Sequence, residues 1–198
     1  MPLLTLNEYI DLAERAHGHL CAGQILGVRM GMYGLTLLGL DDPRGAHRKR
    51  LVTYVEIDRC ATDAIGVVTG CRLGKRALKF LDFGKMAATF CDLETGRAVR
   101  VVALESSKAR AAECYPDLSP VSRQQMAAYR ELDDAELFSH EWVRVRIGAD
   151  DLPGHKGERV FCAQCGERVN FNRQIGELCR ACAGQRYYEP VVGAGQPH

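Results

Sequence analysis

Apolar positions recur with a helical period near the start of the chain, and glycine and polar residues punctuate them. A capping box at Thr5 and Glu8, followed by apolar residues at helical spacing, predicts a first helix over residues 6–16. A second, longer apolar stretch predicts a helix over residues 21–40. The chain therefore opens with two helices that are joined by a short turn.

The second predicted helix carries glycines at near-helical spacing: Gly23, Gly27, Gly31 and Gly34. Each interior glycine destabilises a helix by about 0.5–1 kcal/mol relative to alanine. The spacing therefore predicts the close approach of another helix or of a sheet. The alternative is a buried helix that merely tolerates a few glycines.

Further along, runs rich in β-branched residues predict strands over residues 51–57, 78–83, 86–91, 98–104 and 143–147. The second and third of these strands are predicted to pair about the Gly84-Lys85 turn. Helices are predicted over residues 60–68, 106–114 and 119–138. Because helices and antiparallel strands are mixed without a strict βαβ alternation, the predicted fold class is α+β.

The length of 198 residues fits one medium domain with a small appendix. A Pro- and Gly-containing linker over residues 148–157 separates a core domain, residues 1–150, from a second domain, residues 155–190. Lys plus Arg is 26 and Asp plus Glu is 25, and this balance gives no global attraction to nucleic acid or membrane. No apolar run approaches the roughly 20 residues of a membrane span, and no signal peptide is apparent. We therefore expect a cytoplasmic protein.

Nine cysteines in a reducing compartment are expected to be metal ligands or reactive thiols before they are disulfides. Cys162-x-x-Cys165 is followed, after thirteen residues, by Cys179-x-x-Cys182. Two such turns close a tetrahedral site of four thiolates, which predicts a structural zinc ion in a C-terminal zinc ribbon. Two redox motifs are the alternative, but these need a βαβ setting that the segment lacks.

Nucleic-acid binding by the ribbon is a further hypothesis. Residues 155–189 contain six Lys or Arg and four Asp or Glu, a local charge of +2, and Phe171, Tyr187 and Tyr188 could stack on bases. This charge is small beside the roughly 6 to 10 phosphate contacts of a typical binder. A small ribbon core or a dimer contact is the other interpretation of these aromatic residues.

A second cluster of metal-binding residue types lies at His17, His19 and Cys21. Inside a continuous helix, residues two apart point to nearly opposite sides, so the three side chains could not meet one ion. A chain break at Gly18 would lift this restriction. Cys21 would then stand at a helix N-terminus, where the helix dipole favours a thiolate.

Cys60 has the same setting as Cys21, because Asp58 to Asp63 leads from a strand into a helix that Cys71 follows. Two thiols at helix starts, with one or two histidines, would make a metal site with an open coordination position. Buried cysteines that act only as small apolar residues are the alternative.

The chain resembles the FmdE family, named for a component of formylmethanofuran dehydrogenase, in four segments: HGHLCAGQILGVRMG at 17–31, Asp58-x-Cys60-x-x-Asp63-Ala64, Thr69-Gly70-Cys71-x-x-Gly74-Lys75, and Asp82-Phe83-Gly84-Lys85-Met86-Ala87. The resemblance implies an α+β core, often with a zinc ribbon, in an intertwined homodimer. It also implies a metal-binding active site lined by the family's His and Cys positions, here His17, His19, Cys21, Cys60 and Cys71.

The sequence departs from the family pattern at three places. Ala22 stands where proline usually follows the cysteine, Arg72 stands where threonine is usual, and Arg76-Ala77 replaces a Gly-Asn pair. A basic pair near the site favours an anionic ligand.

The leading hypothesis is an FmdE-like metal-binding protein that binds or acts on a small anionic ligand. His19, Cys21 and Cys60 would hold a core transition metal ion. The candidate catalytic residues are His17, His19, Cys21, Cys60, Asp63 and Cys71, with Asp58 as another candidate base. Alternatives are a non-catalytic accessory component of a molybdenum or tungsten formylmethanofuran dehydrogenase-type complex, and a zinc-ribbon nucleic-acid-binding regulator. The sequence leaves open whether the core cysteines bind a metal or form a reversible disulfide.

Overall fold

Capping interactions set the ends of the first helices in the computed structural model, which describes residues 3–170 and 172–189. Helix α1 (Leu6–His17) begins after Thr5, whose backbone N–H donates to the Glu8 carboxylate. It ends at Gly18, where a φ of +96° suits a residue without a side chain. Helix α2 (Ala22–Leu38) follows directly. Both predicted helices are confirmed.

Helix α3 (Cys60–Thr69) packs beside α2 and runs in the same direction. A Cβ atom added at Gly23 would lie 3.5 Å from Cys60 Cβ, and one added at Gly31 would lie 3.0 Å from Val68 Cβ. Moving eight residues along α2 therefore moves eight residues along α3. The N-termini of the two helices consequently lie side by side.

Two glycines of α2 stand where any side chain would collide with a neighbour. A Cβ atom at Gly27 would lie 2.5 Å from the carbonyl oxygen of Ala61 in α3, and one at Gly34 would lie 2.3 Å from the Phe90 ring. Contacts this short do not occur between real atoms. The predicted close approach to another element is confirmed, and it involves both a helix and the sheet.

The helices cover one face of a five-stranded sheet, with strands β1 (Leu51–Val55), β2 (Leu78–Phe80), β3 (Ala87–Asp92), β4 (Ala98–Ala103) and β5 (Phe138–Val143). The spatial order is β2-β1-β3-β4-β5, and every pair is antiparallel except β1 with β2. The predicted α+β class is confirmed. No described helix is both long enough and apolar enough to cross a membrane.

The predicted pairing of strands 78–83 and 86–91 is wrong. Strand β2 pairs instead with β1, in parallel, with Thr53 opposite Leu78. Parallel pairing requires a crossover connection, and α3 provides it. The segment after β2 forms a loop in which the N–H groups of Phe83 and Lys85 both donate to the carbonyl oxygen of Glu56.

The predicted helix over residues 119–138 is two helices, α5 (Val121–Glu131) and α6 (Asp134–Leu137). The break occurs because Asp133 and Glu136 form a capping box that starts a new helix. Helix α4 (Ser106–Cys114) precedes them, as predicted.

The predicted strand over residues 143–147 is also displaced, because β5 ends at Val143. The alternation nevertheless continues, since Val143, Val145 and Ile147 are half-buried and pack on the second face of the sheet. Their partners there include Val52 and Cys91.

The chain divides into two compact units, Met1–Ile147 and Gly148–His198. The second unit is built from four short strands, β6 (Arg159–Phe161), β7 (Arg168–Asn170), β8 (Gln174–Ile175) and β9 (Leu178–Cys179). They pair as two antiparallel hairpins, β6 with β7 and β8 with β9.

The glycine contact between α2 and α3 can be tested by adding one methyl group. We expect Gly27→Ala to lower the free energy of unfolding by about 1–3 kcal/mol, because the new Cβ must displace the α3 backbone. Chemical denaturation followed by circular dichroism measures this change.

Gly23→Ala is the matched control on the same helix. Its Cβ would lie at an ordinary contact distance of 3.5 Å from Cys60 Cβ. Helix propensity should therefore leave this variant unchanged or slightly stabilised. Equal losses of stability in both variants would contradict the packing argument.

Candidate metal sites

Four cysteines converge in the C-terminal unit. Each of the two hairpins contributes one Cys-x-x-Cys pair: Cys162 and Cys165 from the first, Cys179 and Cys182 from the second. Their four sulfur atoms all lie within 4.8 Å of one another. The backbone N–H of Cys179 donates to Cys162 Sγ at 3.3 Å. The arrangement could hold a metal ion such as zinc and is consistent with a zinc ribbon.

The thiols of this four-cysteine cluster differ in acidity. Backbone N–H groups of Cys165 and Cys179 donate to the Cys162 sulfur and lower its pKa to about 6. A hydrogen bond with the Cys179 thiol raises the pKa of Cys182 to about 12. One thiol is thus prepared for deprotonation, whereas another needs a nearby cation before it can lose its proton.

A second group forms where α1 ends and α2 begins. The left-handed residue Gly18 separates the helices, so His17, His19 and Cys21 do not share a helix. One ligand atom from each of the three lies within 4.8 Å of the others. We call these three residues the core cluster. Two imidazoles and one thiol make a donor set that fits a transition metal ion.

A carboxylate holds one histidine of the core cluster. Nδ1 of His17 lies 2.9 Å from Oδ2 of Asp63, so the imidazole N–H donates to the carboxylate and Nε2 remains available as a ligand. The His17 and His19 rings are also close, with centroids 4.8 Å apart. Asp63 lies in the first turn of α3, so the parallel packing of the helices supplies this contact.

Cys60 lies beside the core cluster and outside its mutually close group of three. It is the first residue of α3 and is half-buried. Burial raises the pKa of the Cys60 thiol, and its hydrogen bond with the Cys21 thiol raises that pKa further. The two thiols therefore interact directly, although their residues are far apart in the sequence.

The structure does not bring Cys71 to the core cluster. Cys71 follows α3, whose ten residues span about 15 Å, so it lies at the opposite end of that helix from Cys60. Its thiol donates to the carbonyl oxygen of Leu51, and burial raises its pKa. Cys71 is a buried residue of the main hydrophobic core.

A cleft of about 400 Å³ opens in front of His17 and Cys60. Its polar wall also includes Asp58, Arg59, Thr62 and Asp63. Its apolar wall consists of Val55, Leu73, Leu78 and Phe80. Sequence reasoning missed the apolar wall, because it depends on the parallel placement of β2 beside β1.

Another residue that the sequence gave no reason to single out is Gln24, in the first turn of α2. Its side chain is fully buried, and neither amide atom has a hydrogen-bond partner among the described residues. A buried amide without a partner is uncommon in folded proteins.

Aromatic residues of the C-terminal unit are exposed, which is compatible with the nucleic-acid hypothesis without requiring it. Tyr187 and Tyr188 are exposed, and the Arg168 guanidinium stacks over the exposed Phe161 ring at 4.8 Å. Phe171, the third aromatic residue of that hypothesis, lies outside the described residues.

Comparison with known proteins gives consistent results. Residues 16–139 match the family model described as FmdE, molybdenum formylmethanofuran dehydrogenase operon. The crystal structure of an FmdE-like protein of tungsten formylmethanofuran dehydrogenase, from Syntrophus aciditrophicus, is similar, with a TM-score of 0.67 and 26% sequence identity. The match covers 94% of this chain and 96% of that one.

A curated protein of Archaeoglobus fulgidus, named probable S-adenosyl-L-methionine-binding protein, is 28% identical to the chain. The match covers 98% of this chain and 57% of that protein. The chain thus spans little more than half the length of this relative.

Removal of one thiol tests the four-cysteine cluster. We expect Cys165→Ser to lower the bound metal by about one ion per chain, because three thiolates hold an ion less tightly than four. Inductively coupled plasma mass spectrometry of the purified protein measures the metal content. Cys114→Ser, an exposed cysteine outside both clusters, is the control and should leave the metal content unchanged. An unaltered content in Cys165→Ser would contradict the assignment.

Proposed function

The chain belongs to the FmdE family, since the family model matches residues 16–139, and from this premise we propose that it binds a transition metal ion at the core cluster together with a small anionic ligand. The observation that carries the proposal is the convergence of His17, His19 and Cys21 within 4.8 Å. In this proposal the core domain, residues 1–150, holds the reactive site, and residues 155–190 form the zinc ribbon.

Each residue of the core cluster has a separate role. His17, oriented by Asp63, and Cys21 hold the ion, and His19 completes the set of ligands. A bound ion would polarise an oxygen atom of the ligand. Asp63 and Asp58, both at the cleft, are then placed to accept a proton.

The surroundings of the core cluster favour negative charge. The N-termini of α2 and α3 lie side by side, and each helix dipole places partial positive charge there. Arg59 lines the cleft, and Arg72 precedes Leu73 of its apolar wall. These features support an anionic ligand, whereas the carboxylates Asp58 and Asp63 support a ligand that also carries a proton or a cation.

The four-cysteine cluster is proposed to hold zinc in a structural role. The C-terminal unit contains short strands and few buried apolar residues, so it cannot draw its stability from a core of its own. Zinc binding would supply that stability. The absence of an open coordination position among four thiolates also fits a structural site.

We place the protein in the cytoplasm as a homodimer. All nine cysteines are free thiols, which supports a reducing compartment. Apolar side chains are exposed near the edge strand β2, namely Leu73, Phe80, Leu81 and Phe83. A second copy covering these side chains would remove both the apolar surface and the open sheet edge. The name of the Syntrophus protein supports the alternative of an accessory component in a tungsten or molybdenum complex.

A second candidate ligand is S-adenosyl-L-methionine, which the name of the Archaeoglobus relative suggests. The cleft supports this candidate, because its apolar wall suits an adenine ring and its carboxylates suit ribose hydroxyl groups and a sulfonium ion.

Replacement of one ligand separates the two metal sites. We expect Cys21→Ser to lose the core ion and to keep the zinc of the ribbon, because the four-cysteine cluster is untouched. Metal content should fall by about one ion per chain while the melting temperature of the ribbon stays constant. A metal content equal to that of the unaltered protein would refute the core site.

The ligand proposal is tested by titrating acetate into the cobalt-substituted chain while visible absorption is recorded. Arg59→Gln should weaken acetate binding by about 2- to 5-fold, the loss expected for one exposed charge. Arg123→Gln, on α5 and outside the cleft, should have no effect. No response of the unaltered chain to acetate, combined with a response to S-adenosyl-L-methionine, would favour the second candidate.

A further inference from the structure

Cys21 has two neighbours with different chemistry. On one side lie His17 and His19, with which it shares the 4.8 Å group. On the other side lies Cys60, whose thiol interacts with that of Cys21 without joining the group. A fourth metal ligand would be expected inside the group. Its position outside gives Cys60 a different relation to Cys21.

The backbone holds the two cysteines together. A Cβ atom built at Gly23 would lie 3.8 Å from Cys21 Sγ and 3.5 Å from Cys60 Cβ, so both cysteines flank the same point of α2. Glycine at that position leaves the space between them free of a side chain. Disulfides require Cα atoms about 4.4–6.8 Å apart, and two cysteines packed against one backbone position are suited to such a distance.

Both thiols are also accessible and activated by position. Each cysteine is half-buried, whereas Cys71 and Cys91 are buried in the two hydrophobic clusters of the core domain. Cys21 and Cys60 stand at the N-terminal ends of α2 and α3, where the helix dipole stabilises a thiolate.

We propose that Cys21 and Cys60 are a redox-active pair, and that Cys21 is shared between a disulfide with Cys60 and the metal ion of the core cluster. The disulfide part rests on the geometry of the two cysteines alone. The competition with metal rests on the proposed function. Because a disulfide sulfur carries no thiolate, the two states exclude one another.

The oxidant is a low-molecular-weight disulfide. One protein thiolate attacks a sulfur of that disulfide, forms a mixed disulfide and releases one thiolate. The second protein thiolate then attacks the mixed disulfide and releases the other. The protein dithiol loses two electrons and two protons, and one small disulfide becomes two thiols. Excess thiol reverses the reaction and frees Cys21 for the ion.

The test treats the full, zinc-loaded chain with oxidised glutathione, quenches with acid and N-ethylmaleimide, and maps peptides by mass spectrometry. We expect a Cys21–Cys60 crosslink and two equivalents of reduced glutathione per chain. Cys60→Ser and Cys21→Ser should each stop at a mixed disulfide with one equivalent released. Cys114→Ser should behave like the unaltered chain.

A second measurement follows cobalt absorption of the core site before oxidation, after it, and after treatment with dithiothreitol. The core absorption should disappear on oxidation and return on reduction. The absence of a Cys21–Cys60 crosslink in the unaltered chain would overturn the redox inference, whatever happens to the metal. A crosslink in a chain that never binds cobalt at the core would leave the dithiol standing and refute the proposed function instead.

Discussion

Close packing of two parallel helices is the constraint on which the site depends. Helix α3 approaches α2 so closely that a methyl group at Gly27 would overlap the α3 backbone. Parallel helices place their dipoles unfavourably, since both positive ends lie together. The glycines make the approach possible, and burial of apolar side chains between the helices and the sheet stabilises it. The result is a region of partial positive charge at which two cysteines stand.

The turn between α1 and α2 completes this region. Gly18 adopts a left-handed conformation, which ends α1 and lets His17, His19 and Cys21 point to one place. The carboxylate of Asp63 reaches His17 from α3. Three short segments of chain, each rigidly joined to a helix, thus position the ligand atoms. Rigid supports of this kind favour a defined site over a flexible one.

The sequence predicted these features to different extents. The helices α1 to α3, the close approach at the α2 glycines and the four-cysteine cluster followed from local signals such as caps, spacing and composition. The pairing of β2 did not, because an apolar run such as Leu78 to Phe80 carries no information about its partner strand. The position of Cys71 depended on the family resemblance, and the length of α3 separates it from Cys60. The apolar wall of the cleft follows from the same parallel pairing and was inaccessible for the same reason.

The central claim is that the core cluster binds an ion of its own, distinct from that of the four-cysteine cluster. Anomalous diffraction from crystals of the metal-loaded protein, recorded above and below the absorption edge of the metal, measures this most directly. The account predicts two anomalous peaks per chain, one among the four ribbon sulfurs and one about 2.3 Å from Cys21 Sγ and in contact with a His17 or His19 nitrogen. A single peak in the ribbon, with none near Cys21, would contradict it.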